Sequence, residues 1–439
     1  MTEDVQQLAR DGPERRAEAE PIEIPLDAFD LTPEAVRKRF RWATRQGHPM
    51  WLWPNVTIER WQDALAGIER ALRGALTGRP EPRPLDGDSE AMSIACYTSG
   101  TGPLLGFWAR QGLVASSPAV ATVLDLHLRH NKPRMDRLTA ETCDLAAAFG
   151  AGGVTVTLLK GLHTAHAYFP APETRPVSDI DLLISASDEA AASGILSHQG
   201  YQAGLASRGP PPQRDWRRPG VAIEPKSLSF VHADDPWAVD LQTSLDRRYS
   251  PGAPMIRLGQ AAIGAMREPW ALAPQATVLR QPLLLLQIAI HASCGFQSLN
   301  LLRLVELALI VRRDSEAGLL HWSEFRAMAE RHEALGLIYP ALQLCEKLVP
   351  GTIPPEIVAR SRQHAPLSVR HVVDRLTPAS AQRVVRYSMA EKFMWTGSRL
   401  AAARQLVSDI VPPGIDSVSA LFGIYKKRAW KIARQTLTR

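Results

Sequence analysis

The feature that most limits the fold is a change of period near the middle of the chain. Before about residue 150, apolar residues recur at helical spacing, as in residues 119–130 and 139–149. Residues 154–159 (VTVTLL) and 180–184 (IDLLI) are instead β-branched and apolar, which is the pattern of buried strands. Residues 227–232 and 237–241 are also strand-like. The Ala-Asp-Asp-Pro between them is a turn signal, so an antiparallel hairpin is expected. Residues 188–199 read as a helix ended by Gly200. Residues 204–226, with Gly209, Pro210, Pro211, Pro212 and Pro219, read as irregular. From about Ala261 helical spacing returns, through residues 283–292, 299–313, 322–332 and 338–348, until 350–355 breaks it. The class expected is α+β: a small mixed β-sheet core flanked by N-terminal and C-terminal helical regions.

At 439 residues the chain is long enough for two or three packed units. The expected divisions are a disordered tail (1–20), an N-terminal helical region (21–140), the core (141–255), a helical domain packing on it (256–350), and a C-terminal helical region with a basic tail (351–439). Residues 31–78 look helical, with Thr32 as cap, Pro33 at the first position and Glu34 next. Trp42, Trp51, Trp53 and Trp61 are expected in the core, and residues 79–89 form a linker. The apolar run 282–292 is interrupted by Gln287 and His291 and is too short for a bilayer span. With no secretion signal at the N-terminus, a cytoplasmic protein is expected. Its four cysteines lie far apart without metal-ligand spacing, which argues against zinc.

The formal charge of +6 suits an anionic partner without naming one. Part of the excess lies in residues 425–439, where Lys426, Lys427, Arg428, Lys431, Arg434 and Arg439 face no acid. That stretch reads as a solvated amphipathic helix, or else as a docking surface for nucleic acid, lipid headgroups or an acidic peptide.

The informative stretch for chemistry is Arg175-Pro-Val-Ser-Asp179-Ile-Asp181-Leu-Leu-Ile. On a strand, side chains at i and i+2 point the same way, so Asp179 and Asp181 project together. Two carboxylates held close repel and lose charge unless a cation joins them. Mg²⁺ is the usual ion bound by carboxylates together with substrate phosphates. Asp240, in Trp237-Ala-Val-Asp240-Leu, can join if its strand pairs beside 180–184. Alternation then puts Ala238, Asp240 and Gln242 on one side, with Val239 and Leu241 toward the core. Taken alone, an Asp-x-Asp also fits a turn or a solvated strand face.

The order Leu158-Leu-Lys160-Gly161, then Tyr168, Arg175 and Ser178-Asp-Ile-Asp181-Leu-Leu-Ile resembles a bacterial family of uncharacterised nucleotidyltransferases. That family is similar to the DNA polymerase β-type superfamily. Gly200-Tyr201, Val239-Asp240-Leu241-Gln242, His291-Ala292, Arg303 and Glu306 continue the likeness, which spans about residues 90–315. The sequence departs from the pattern in three places. Lys160-Gly161 stands for the superfamily's Gly-Ser or Gly-Gly, the gap from Gly161 to Asp179 is long, and Gln242 replaces a frequent His.

The resemblance implies an NTP-using enzyme with Asp179, Asp181 and Asp240 as both catalytic and metal-binding residues. Two Mg²⁺ ions are expected, with Mn²⁺ as substitute. ATP is the expected nucleotide, giving AMP transfer, and Asp240 lies nearest the attacking hydroxyl. Lys160 and Gly161 would contact the triphosphate, Lys160 otherwise being a surface residue. Arg175 would clamp phosphate or pair with Asp179 or Asp181. Ser178 would donate to phosphate or to Asp179. His291 is a core histidine or faces the nucleotide. Arg303 reaches the triphosphate or pairs with Glu306 at i+3. Gln242 alters the acceptor chemistry or weakens the enzyme. The acceptor implied is a peptide, sugar or small molecule. Nucleic acid is less favoured, since no aromatic-basic interleaving is seen. The alternatives are a nucleotide- or partner-binding module of the same fold without turnover, and a transferase acting on RNA ends.

Overall fold

The computed structural model describes residues 56–382 apart from 80, 207–212, 221–226, 228–229, 249–252 and 295–298, together with 393–396, 400 and 403. The expectations for the N-terminal tail, the Thr32 cap, Trp42, Trp51, Trp53 and the basic tail fall outside these residues.

Among the described residues four helices precede the sheet: α1 (Ile58–Thr77), α2 (Ser89–Ser99), α3 (Gly102–Arg110) and α4 (Pro118–Ala151). Thr57 caps α1 by accepting from Arg60 N, and Gly78 ends it at φ 66°, a left-handed conformation that glycine adopts without a Cβ clash. The helical spacing seen at 119–130 and 139–149 belongs to one helix, α4, which runs on through Pro133. Trp61 is buried, as expected, and its indole N–H donates to Thr98 Oγ1 at 3.1 Å.

The central part contains β1 (Val156–Leu158), α5 (Leu162–Tyr168), β2 (Asp179–Leu183), α6 (Glu189–His198), β3 (Gln202–Ala206), β4 (Gln213–Arg217) and β5 (Ala238–Gln242). A small hairpin, β6 (Arg247–Arg248) and β7 (Met255–Ile256), follows, then α7 (Gln260–Ala265), β8 (Arg267–Trp270) and β9 (Ala273–Leu279). Seven strands form one mixed sheet in the order β3-β4-β5-β2-β1-β9-β8. The α+β class expected from the sequence holds, with a seven-stranded sheet between helical flanks.

Three local expectations are corrected. The antiparallel partner of β5 is β4, in register Asp215↔Asp240 and Trp216↔Val239, and not residues 227–232. Gln213–Arg217 alternates, with Trp216 only 3% exposed against the core, so the stretch read as irregular is a strand flanked by prolines. Residues 230–235 instead turn against α4. Phe230 meets the His130 ring at 4.8 Å between centroids, and His232 N donates to Asp235 Oδ2 at 2.9 Å. Finally, β8 and β9 occupy a region read as helical. Pro269 is tolerated because β8 lies at the sheet edge, and β9 runs parallel to β1 through Ala276, Thr277 and Val278.

Among the described residues seven helices follow: α8 (Leu283–Ser293), α9 (Leu301–Glu316), α10 (Trp322–Arg331), α11 (Leu335–Leu348), α12 (Pro355–His364), α13 (Leu367–Arg375) and α14 (Pro378–Ala381). Their apolar faces merge with those of α1–α3 and the start of α4 into one core, while the rest of α4, α5, α6 and most of the sheet share a second. Among the described residues no helix is long and apolar enough to cross a membrane.

Candidate active site

Strands β2 and β5 run parallel and pair Asp179 with Ala238 and Asp181 with Asp240. Because side chains alternate along a strand, Asp179, Asp181 and Asp240 emerge on one face. One carboxylate oxygen from each lies within 4.8 Å of the others. Among the described residues this is the only group of three or more His, Cys, Asp or Glu side chains that converge in this way. Opposite them, Ile180, Leu182, Val239 and Leu241 are buried in the second core. The alternation that drives the strands inward on one face therefore sets the acids together on the other.

Lys160 follows β1 and reaches this face. Its Nζ hydrogen-bonds Asp181 Oδ2 and lies 3.9 Å from Asp179 Oδ1. Burial opposes the lysine's charge, but Asp179 and Asp181 outweigh it and hold the ammonium pKa above its ordinary value. The carboxylates respond unequally. Burial also opposes the charge of Asp179, yet Lys160, the Ser178 hydroxyl and Arg175 hold its pKa below the usual value. Asp181 is shifted upward by burial and by Asp179, against the pull of Lys160. Asp240 is pushed up to about 8 by burial, then by Asp179, Asp181 and Asp215. One lysine does not neutralise three acids in a partly dry site, and the excess appears as reluctance to ionise.

Ser178 Oγ donates to Asp179 Oδ1 at 3.1 Å, the second of the two partners expected for it. Gln242 is buried, with Nε2 3.5 Å from Asp181 Oδ1, and its Oε1 accepts from Arg247 Nη2 at 3.3 Å. Gly161 turns the chain at φ 64°, and a Cβ there would stand 3.2 Å from Val177 Cγ1, so the close approach needs glycine.

Arg175 pairs with neither aspartate. Its Nε and Nη2 donate to the two oxygens of Glu306 at 2.9 and 3.0 Å, and Thr164 Oγ1 donates to the same carboxylate. Arg175 and Glu306 are both buried. The Arg303–Glu306 pair expected at i+3 gives way to this bidentate one. Arg303 instead donates from Nη1 to the His291 carbonyl at 3.1 Å, and its charge helps hold down the pKa of Asp179. His291 lies where its pKa is lowered well below the ordinary value, first by burial and then by Arg303, Lys160, Arg247 and Arg175. Its imidazole is therefore neutral and sits among the cations of the cleft.

Sequence reasoning missed Arg247, Asp215 and Gln213. Asp215 stands directly across from Asp240 on β4, and Gln213 Nε2 donates to Asp240 Oδ2. The alternation Gln213-Asp215-Arg217 around Trp216 was the available signal, hidden between prolines.

A family model described as an uncharacterised nucleotidyltransferase matches residues 101–350, more than half of the chain. No curated protein and no solved structure matches. The matched segment holds the three aspartates, Lys160, Arg175, Gln242, His291, Arg303 and Glu306, and the chain belongs to this uncharacterised nucleotidyltransferase family.

Proposed function

We propose that this member of the nucleotidyltransferase family moves a nucleotidyl group from an NTP to a hydroxyl or phosphate of an acceptor, with Mg²⁺ held by Asp179, Asp181 and Asp240. AMP from ATP is the first case to test. The observation that carries the proposal is the meeting of three carboxylates from two strands within 4.8 Å. The donor set fits the ion: Mg²⁺ prefers carboxylate oxygen and shares its shell with phosphates, and three acids against one lysine leave charge for a cation to balance. When bound, Mg²⁺ polarises the phosphoryl oxygens and offsets charge on the leaving group, with Mn²⁺ as substitute and a two-ion arrangement as in related chemistry.

The chain's own residues do the rest. Lys160 and the close backbone at Gly161 contact the triphosphate. Arg303 and Arg247, beside a neutral His291, give the cleft a positive wall for its oxygens. Arg175 acts through Glu306, holding α9 and so Arg303 against the site. Ser178 and Gln242 steady Asp179 and Asp181. Asp240 lies on the side of β2 away from β1 and Lys160. It takes the proton as the acceptor oxygen bonds to the α-phosphorus and the bond to pyrophosphate breaks. The acceptor is a peptide, sugar or small molecule, and an NTP substrate places the work in the cytoplasm.

A second reading, nucleotide binding without turnover, draws on one observation: Lys160 already occupies one oxygen of Asp181. The two readings separate when the protein is incubated with each α-labelled NTP, Mg²⁺ and cell extract. Transfer expects a labelled product and released pyrophosphate, both lost on chelation. Saturable NTP binding with no pyrophosphate from any of the four would leave the second reading.

A further inference from the structure

Arg134 lies on α4, far from the acids in sequence, and neither the nucleotide nor the metal reading uses it. It is 3% exposed, and its guanidinium lies over the Trp237 ring at 5.7 Å. Nε donates to the Asp235 carbonyl at 3.1 Å, Nη2 to the Pro236 carbonyl at 3.2 Å, and Nη1 to the Val177 carbonyl. These carbonyls have a particular place in the fold. Val177 is two residues before Asp179, and Pro236 is two before Ala238, the residue paired with Asp179. The guanidinium therefore bridges the two chains one step ahead of the parallel ladder that carries the acids. Pro236 has no N–H, so the backbone ladder cannot extend through its nitrogen. The planar fork supplies donors to both chains at that level, which a lysine's single ammonium cannot reproduce.

We propose that Arg134 is a positioning residue that fixes the stagger of β2 against β5, and with it the spacing of Asp179 and Asp181 to Asp240. It touches neither metal nor substrate. The inference rests on the metal reading for its consequence, but its direct effect is on the strands themselves. Outer groups that orient ligands commonly change metal affinity by about 10- to 100-fold when removed.

The test uses the full chain carrying Arg134→Lys and Arg134→Gln, with Phe325→Leu in the helical core as a control for general loosening. Two quantities are read: Mn²⁺ affinity by electron paramagnetic resonance, and amide exchange at Ile180 and Asp240, whose N–H groups face across the β2–β5 ladder, without metal. Folded Arg134 variants are expected to bind Mn²⁺ tenfold or more weakly and to exchange faster at both amides. Phe325→Leu should do neither. If neither Arg134 variant folds, Trp237→Leu loosens the guanidinium more gently and is expected to show the same two changes in smaller measure. Wild-type affinity and exchange in a folded Arg134 variant, or in Trp237→Leu when that is the one available, would overturn the proposal. Wild-type protein that binds no Mn²⁺, with exchange still faster in the variants, would overturn the metal reading and leave the positioning role standing.

Discussion

Arg175, Glu306 and Thr164 form a closed set: one guanidinium, one carboxylate and one hydroxyl, with both carboxylate oxygens occupied. The neighbouring set is open, since among the described residues Lys160 pairs with Asp179 and Asp181 alone and Asp240 meets only the neutral amide of Gln213 and the carboxylate of Asp215. Both are held by the same fold, but the closed set is the more buried, with Arg175, Glu306 and Thr164 sealed from water while Asp179 and Asp240 are half-buried, so burial does not explain their difference. Charge balance does. The closed set keeps Glu306 below its ordinary pKa, against the cost of burial, because Arg175 compensates it. The open set drives Asp240 up to about 8 because nothing on the chain compensates it fully. A closed ionic set ties elements of the fold together, whereas an open one stores a demand for a ligand of the missing charge.

The largest expected effect breaks the comparison at its open side. Asp240 already favours its protonated form at neutral pH, so Asp240→Asn is nearly isosteric with what the metal-free protein holds. It should melt at the wild-type temperature or higher. Pyrophosphate release should nevertheless fall by about a thousandfold, on the order of 4 kcal/mol of barrier, if cation-assisted charge neutralisation is lost. Activity within tenfold of wild type would remove Asp240 from the machinery.

The matching change on the closed side should act on folding. Glu306→Gln leaves Arg175 buried without a counter-charge, a loss of about 3–5 kcal/mol. Urea denaturation reads it directly, and a loss below about 1 kcal/mol would mean that the pair is not structural.

The third effect concerns pH. His163 on α5 is buried beside the closed set, and burial lowers its pKa to about 4. The unfolded value is about 6.5. The folded state thus holds the neutral ring. Its contribution to stability is complete above about pH 6.5 and is lost as the pH falls toward 4, by an amount on the order of 3 kcal/mol. His163→Gln should flatten the stability profile in that window, and an unchanged slope would assign the acid sensitivity elsewhere.

The smallest effect sharpens the open side. Asp215→Asn removes the like charge across the strand from Asp240. Asp240 should then titrate somewhat lower, with little change in melting, as read by carbon-13 resonances of labelled aspartate. No movement would show that the Asp179 and Asp181 charges, with burial, account for the whole shift.

The open set was largely legible in the sequence. Asp179 and Asp181 stand two apart on an apolar strand, and alternation alone placed Asp240 on the side of Gln242. Local periodicity carries such information because a strand's facing is set by its own residues. The closed set was not legible: Arg175 and Glu306 are 131 positions apart, and only packing of α9 on the core brings them together. Arg134 was hidden for the same reason, since its partners are backbone carbonyls that leave no mark in residue type. The strands β4 and β8 were obscured by prolines. Pro212 precedes β4, and Pro269 sits where an unpaired edge makes its missing N–H harmless.

The most direct measurement is a crystal structure of the protein with Mn²⁺ and a non-hydrolysable ATP analogue, read by anomalous scattering. The expected result is a peak bound by oxygens of Asp179, Asp181 and Asp240, with the analogue's phosphates alongside and Lys160 turned from Asp181 toward them. Nucleotide bound elsewhere, with no peak among the three carboxylates and Lys160 still on Asp181, would contradict the assignment.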